Sequence, residues 1–342
     1  MTSSAARSAA HAASDTKTPQ SPPPRRAYWR LRAVQSLGVG MFYVIVLVVF
    51  SLRVPDFLSS SNAQTVLDSA ALLGIVAVGQ TFAIISGGFD LSVGGVVPLG
   101  AVVYGHLCTT MPQAAALLIT IGVGAGVGIL NGLVVAQFKI NPLIGTLAML
   151  SIAGGAAYIV TNGQTIPLTS ASAAVWGDRS ALGLNNGTWA AIGLAVAAGL
   201  LLKFTVYGRS LYTVGGNREA AQLAGLRVVA TSVSVYVFSG ACAAFGGAIA
   251  ASQLFAAAPN IGTDTTLNSI AAVILGGAAL TGGVGTISGT ALGVLLLGTI
   301  SDGLGLLQVA SFYQTVITGG VLLLAVGFSR LRELLTTNSL PG

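Results

Sequence analysis

Nine carboxylates, two histidines and two cysteines are all that 342 residues offer to acid-base, nucleophilic or metal chemistry, and their spacing assembles none of it. Cys108 and Cys242 lie inside or at the end of apolar runs, which points to packing rather than to a disulfide or a thiolate metal site. His11 belongs to a polar amino-terminal stretch and His106 to a helix end; neither has a Cys, His or Glu at ligand spacing, so no metal site is expected. A phosphate-binding loop needs glycine directly before lysine, and the only lysines follow Thr16, Phe138 and Leu202. A nucleophile elbow, an HExxH helix and paired catalytic carboxylates are missing as well, so the chain reads as a non-enzyme that does not hydrolyse ATP itself. What remains inside the apolar segments is a set of neutral donors and acceptors: Gln80, Thr81, Asn131, Thr146, Ser151, Gln253, Asn268 and Ser269. Such groups suit a neutral polyhydroxylated solute, and they equally suit hydrogen bonding between helices.

The elements that must position them are membrane helices. The chain is 54% hydrophobic and only 7% charged, where a soluble domain carries roughly 25% charged residues. Its apolar runs are unbroken over about twenty residues, which fits helical spans and excludes the short alternating segments of a barrel. The 46 glycines agree, because small residues let helices approach closely in lipid. Gly122, Gly124, Gly126 and Gly128 therefore read as a helix-packing face; no strand precedes them to make a nucleotide loop.

The fold class expected is an all-α integral membrane protein of about ten transmembrane helices, at 33–53, 63–86, 91–110, 113–137, 141–161, 188–206, 229–253, 267–281, 286–304 and 310–328. The segments 267–281 and 286–304 are short and glycine-rich, and a re-entrant hairpin is the alternative for them. Residues 1–32, rich in Ala, Ser, Thr and Pro and ending in Arg25, Arg26, Arg30 and Arg32, read as a disordered basic tail. The tail lacks the pattern of a secretory signal. Residues 33–329 form the transmembrane domain, and 330–342 a short carboxyl-terminal tail. With both termini cytoplasmic, Arg7, Lys17, Arg25, Arg26, Arg30, Arg32, Lys139, Lys203, Arg209, Arg218, Arg227, Arg330 and Arg332 fall on or beside the inner face, leaving only Arg53 and Arg179 of the 15 bases outside. That asymmetry is the positive-inside rule. The net charge of +6 is thus a topology signal rather than a nucleic-acid footprint. The longest outer loop, 162–187, carries Trp176, Asp178 and Arg179 and is either a surface for a partner that delivers substrate or an interfacial lid anchored by its Trp.

Two breaks and one loop are singled out by their residues. In the first break, Gly87-Gly88 precede Asp90, which can accept from the free amides of Ser92 or Val93 as a cap; contact with a substrate or gate is the other reading. The second, Thr281-Gly282-Gly283-Val284-Gly285-Thr286-Ile287-Ser288-Gly289, repeats the order of hydroxyl, Gly-Gly, short turn, Ser and Gly, so a faint internal repeat is possible. The loop 207–228 is a polar, basic island between long apolar blocks. Within it Asn217 can cap a very short helix, Glu219 sits where the helix dipole favours an anion, and Gly225 can end it. A small-faced helical knob on a membrane protein is suited to another protein's groove. Arg209, Arg218 and Arg227 either frame that docking surface or serve as plain topology determinants.

Four segments in order, GQTFAIISGGFDLSVGG (79–95), INPLIGTLAMLSIAGG (140–155), YGRSLYTVGGNREAAQLAGL (207–226) and SIAAVILGGAALTGGVGTISGTALG (269–293), closely resemble the permease subunits of bacterial ABC importers of the ribose, xylose and galactoside type. The resemblance runs from about 63 to 328. It implies a cell-membrane permease for a ribose-type monosaccharide, paired with a second permease subunit of like or related kind. It further implies a cytoplasmic ATPase, which binds the ATP and Mg, and an extracytoplasmic sugar-binding protein; no cofactor is expected in this chain. The coupling surface implied consists of Arg209, Gly216, Asn217, Arg218, Glu219, Ala220, Ala221 and Gly225. The candidate pathway or gating residues are Gln80, Thr81, Asp90, Ser92, Asn131 and Asn268. Such permeases often carry Glu-Leu-Asp before the span at 269, where this chain has Thr266-Leu267-Asn268 at the expected outer mouth. The competing reading is a stand-alone secondary transporter driven by protons or sodium through Asp68, Asp90, Asp264 or Asp302, four acids too scattered for a good relay.

Overall fold

A computed structural model describes residues 25–321 together with 323 and 327, with side chains from residue 39 onward. Residues 1–24 of the expected tail and all of 330–342 lie outside the described residues, and the chain is already helical at Arg25. In order, the helices are α1 (Arg25–Arg53), α2 (Ser60–Ile85), α3 (Val93–Leu107), α4 (Gln113–Gly132), α5 (Pro142–Thr161), α6 (Asn186–Phe204), α7 (Val206–Gly216), α8 (Arg218–Leu223), α9 (Val228–Gln253), α10 (Thr265–Leu275) and α11 (Ile287–Leu306). Residues 311–321 are also helical. Among the described residues six helices, α2, α4 with its π-helical extension Leu133–Gln137, α5, α6, α9 and α11, are long and apolar enough to cross a membrane. The protein is an all-α, multi-pass membrane protein.

The layering follows from which residues can tolerate burial. α2 and α9 are small-residue or β-branched along most of their length and occupy the centre, where Ile75, Val76, Ala77, Ile84, Ala243, Ala244 and Ala248 are completely enclosed. α4 and α5 lie outside them and turn large apolar side chains outward, including Leu118, Leu130, Ile144, Leu147, Ile152 and Ile159. In water that exposure would drive aggregation; against lipid tails it carries no penalty. The close crossing of α4 on α9 is made by glycine: a methyl group at Gly124 or Gly128 would overlap the carbonyl of Gly240 or Tyr236. Gly122 and Gly126 meet nothing, so of the four glycines only the pair four apart forms the packing face.

Two of the expected spans are shorter in the fold. α10 has 11 residues, about 16 Å at ~1.5 Å per residue, against a hydrocarbon core of about 30 Å. The expected span 267–281 is therefore not formed: Gly276 and Gly277 (φ 88°) stop the helix, and the small, glycine-rich run that follows has too little helix propensity to restart it before Ile287. α3, with 15 residues, is likewise shorter than the expected 91–110.

Outside the helices, Ile166–Pro167 pairs antiparallel with Ala256–Ala257 and ties the loop 162–187 to the end of α9. The Ala173 carbonyl accepts from both Tyr104 Oη (2.9 Å) and Ser252 Oγ (2.9 Å), and Trp176 N donates to Ser252 Oγ (3.0 Å). The Trp176 ring stands edge-on to Phe245, centroids 5.7 Å apart. Asp68 in α2 accepts from Asn185 N and from the Thr188 hydroxyl, holding the start of α6. Of the two readings of this loop, the docked lid describes its backbone, while Asp178 and Arg179 stay exposed on its rim.

Candidate functional site

Building upward from the loop 207–228, a tight turn at Thr205 allows α7 to follow α6 directly: the Thr205 hydroxyl accepts from Gly208 N (3.1 Å) and starts the new helix. Asn217 then ends α7 and caps α8, its Oδ1 accepting from Ala220 N (2.9 Å). Glu219 occupies the first turn, and Gly225 at φ 81° reverses the chain after the helix. Arg209, Gly216, Asn217, Arg218, Glu219, Ala220 and Gly225 are all exposed, as is Arg227. Ala221 is not: it is completely enclosed by Val214, Val228 and the half-buried Leu226, so it anchors α8 to the protein instead of facing outward. A six-residue helix has too few hydrogen bonds to persist alone, and this apolar peg supplies its tertiary hold.

The outward apolar group is Leu223, 90% exposed at the tip of α8, which the sequence reasoning missed. It stands two places from the buried alanine, hence on a different face of the helix, and nothing in REAAQL itself says which of the two faces is covered.

The second assembly forms at the first break. Asp90, Ser92 and Asn131 come together there, all buried. Asp90 Oδ1 accepts from Ser92 N (3.1 Å) and Ser92 Oγ (2.5 Å), with Asn131 Nδ2 at 3.5 Å; Asn131 Nδ2 also donates to Ser92 Oγ (2.7 Å). Asp90 thus caps the entry to α3, where the helix dipole also favours its charge. Leu91 N donates to Thr146 Oγ1 (3.1 Å) and Tyr236 Oη to the Phe89 carbonyl (3.4 Å), so the break is fastened to α4, α5 and α9. Among the described residues Asp90 Oδ2 and Asn131 Oδ1 have no hydrogen-bond partner, and the same holds for both amide atoms of the buried Gln80. Thr81 lies elsewhere: its hydroxyl meets Thr290 Oγ1 (2.8 Å) and links α2 to α11.

Asn268 does not join this cluster. It is half-buried on α10 and donates to the Asp264 carboxylate (3.0 Å). The three residues expected together at an outer mouth separate in the fold. Thr266 is buried and donates to the Leu91 carbonyl (3.1 Å), Leu267 is 63% exposed, and Asn268 is intermediate. α10 therefore starts against the first turn of α3, inside the bundle, because the loop before it dips inward and places Thr266 beside Gly94. Among the described residues no three His, Cys, Asp or Glu side chains converge as metal ligands.

The described residues thus form a multi-pass helical membrane bundle with interrupted helices, polar groups at the interruptions and a capped helical knob. Residues 62–326 match the family described as the permease component of branched-chain amino acid transport systems, and the chain belongs to that family. It is 40% identical to the L-arabinose ABC transporter permease protein AraH of Azospirillum brasilense over 90% of this chain and 91% of that protein. It is 37% identical to the ribose import permease protein RbsC of Bacillus subtilis, over 87% and 93%, and 34% identical to the L-arabinose transport system permease protein AraH of Escherichia coli, over 94% and 98%. No solved structure matches the chain. The family description names amino acids while these relatives name sugars, so membership establishes an ABC permease and leaves the cargo to other arguments.

Proposed function

We propose that the chain is the permease subunit of an ATP-driven importer that carries a ribose-type monosaccharide, of the pentose class named for its relatives, across the bacterial plasma membrane. In this reading both termini lie in the cytoplasm. The chain pairs with a second permease subunit, a cytoplasmic ATPase binds ATP and Mg and seats α8, and an extracytoplasmic sugar-binding protein delivers the cargo. The observation that carries it is α8 itself, capped by Asn217, pegged by Ala221 and presenting Leu223. A chain without a phosphate-binding loop must take its energy from elsewhere, and this knob offers a place to receive it. Closure of the ATPase would then move α7 and α8, and rocking of the bundle would open the pathway alternately to each side. Neutral groups such as Gln80, Thr81 and Asn268 suit hydroxyl-rich cargo.

Ion coupling is the less favoured mechanism, because Asp68 is committed to the start of α6 and Asp264 pairs with Asn268. The test is uptake of labelled L-arabinose and D-ribose by cells holding the whole operon, compared with cells whose ATPase is inactivated. Uptake that vanishes without ATP hydrolysis is expected. Uptake that survives ATPase loss and collapses with the proton gradient would replace this reading by a secondary transporter.

A further inference from the structure

Two glycine pairs nearly two hundred positions apart in sequence, 87–88 and 282–283, interrupt helices, and the fold brings both onto the end of α7. Gly283 N donates to the Ile85 carbonyl at 2.8 Å, joining the end of α2 to the turn between α10 and α11. A methyl group at Gly215 would overlap that same Ile85 oxygen and stand 2.8 Å from Gly283 N. One at Gly282 would stand 2.7 Å from the Gly215 carbonyl and 2.8 Å from Gly87 Cα. Gly87, Gly282 and Gly283 also hold φ of 79°, 87° and 72°, which residues with a Cβ rarely adopt. One turn earlier on α7, Tyr212 Oη donates to the Gly285 carbonyl (2.8 Å).

Three segments therefore meet backbone to backbone. Side chains between packed elements absorb small displacements by changing rotamer, whereas main chains in van der Waals contact and hydrogen-bonded to each other do not. α7 passes into α8 through Asn217 alone, and the two breaks lead directly into α3 and α11. A displacement of α8 has a short, stiff route to both interrupted helices.

We propose that Gly215 is the positioning residue of a rigid linkage through which movement of α8 reaches both helix breaks at once, so that α3 and α11 shift together with the ATPase. The proposal rests on the reading that α8 seats an ATPase, and it adds how that movement enters the bundle. Positions along such a linkage alter coupling without touching either ligand.

The experiment uses the complete complex of permease, ATPase and sugar-binding protein in proteoliposomes, with three readouts: ATPase retained on purification, ATP hydrolysed, and sugar imported per ATP. A purely structural defect lowers the amount of active complex and leaves the last ratio unchanged. For Gly215→Ala, retention within about twofold and at least a roughly tenfold fall in sugar per ATP are expected; for Tyr212→Phe, a fall of about threefold. Gly126→Ala, at a glycine that meets nothing, serves as the control with an unchanged ratio. A ratio within about twofold of the unaltered protein in both junction variants overturns the linkage. If Gly215→Ala does not accumulate, an unchanged ratio in Tyr212→Phe overturns it alone. Loss of ATPase from the junction variants, in proportion to lost import, also overturns it in favour of a docking role. Failure of the unaltered chain to retain any ATPase removes the underlying reading and the linkage with it.

Discussion

Replacing Leu223 by alanine isolates the docking role of α8 from its stability. The side chain is 90% exposed in the isolated permease, so truncating it removes almost no internal contact, and the melting temperature of the permease alone should stay where it is. If the leucine enters an ATPase groove, the change forfeits burial of about three carbon groups at ~0.8 kcal/mol each, or ~2.4 kcal/mol. At ~1.4 kcal/mol per tenfold, that weakens the permease–ATPase dissociation constant by about fiftyfold. The assay is titration of nucleotide-free, fluorescently labelled ATPase onto permease in nanodiscs. Ala221→Leu is the instructive contrast, because it overfills the enclosure of Val214 and Val228 at a cost of about 1–3 kcal/mol and should disorder α8 itself. A dissociation constant within about threefold of the unaltered protein for Leu223→Ala would refute the reasoning, since a ~2.4 kcal/mol anchor cannot be removed without trace.

Asn217→Ala should loosen α8 by about 1 kcal/mol, seen as roughly fivefold faster hydrogen exchange at the amides of 218–223, with Asn217→Asp close to the unaltered rate. Asp90→Ala leaves the Ser92 amide and hydroxyl without their acceptor and should destabilise the permease by about 1–3 kcal/mol in thermal unfolding in detergent. Asp90→Asn retains an acceptor oxygen and should lose less than half as much; equal losses would show that charge, not capping, is the function of the residue.

Fold class and the short helix α8 were legible because each leaves a local trace. Apolar runs of span length declare membrane helices, and Asn217, Glu219 and Gly225 stand at the positions that cap, charge and end α8. The same local logic found Asp90 as a cap. It failed where the outcome depends on what lies across the bundle. Nothing within 218–223 announces that Ala221 faces Val214 and Val228 while Leu223 faces away, because the burial side of so short a helix is set by the return of the chain into α9. Likewise, Thr266, Leu267 and Asn268 diverge only because the loop before α10 enters the bundle, which hydropathy does not record. The partnership of Asp90 with Asn131 joins residues on α4 and at the break, and short-range spacing carries no sign of it.

The similarity of the two glycine breaks has a physical cause that requires no duplication. α2 is long and α3 short on either side of the first break, whereas α10 is short and α11 long around the second, so the order of lengths is reversed between them. Yet both turns must meet the same third element, α7, within backbone contact of each other, and any Cβ at Gly282 would press on Gly87 and on the Gly215 carbonyl. Positive φ at Gly87, Gly282 and Gly283 favours glycine at both turns, and each restarted helix is capped by a polar side chain: the Thr286 hydroxyl accepts from Gly289 N (3.1 Å) as the Asp90 carboxylate accepts from Ser92 N. One shared contact with α7 thus bears on both turns, whose resemblance in sequence is confined to the few residues that make it.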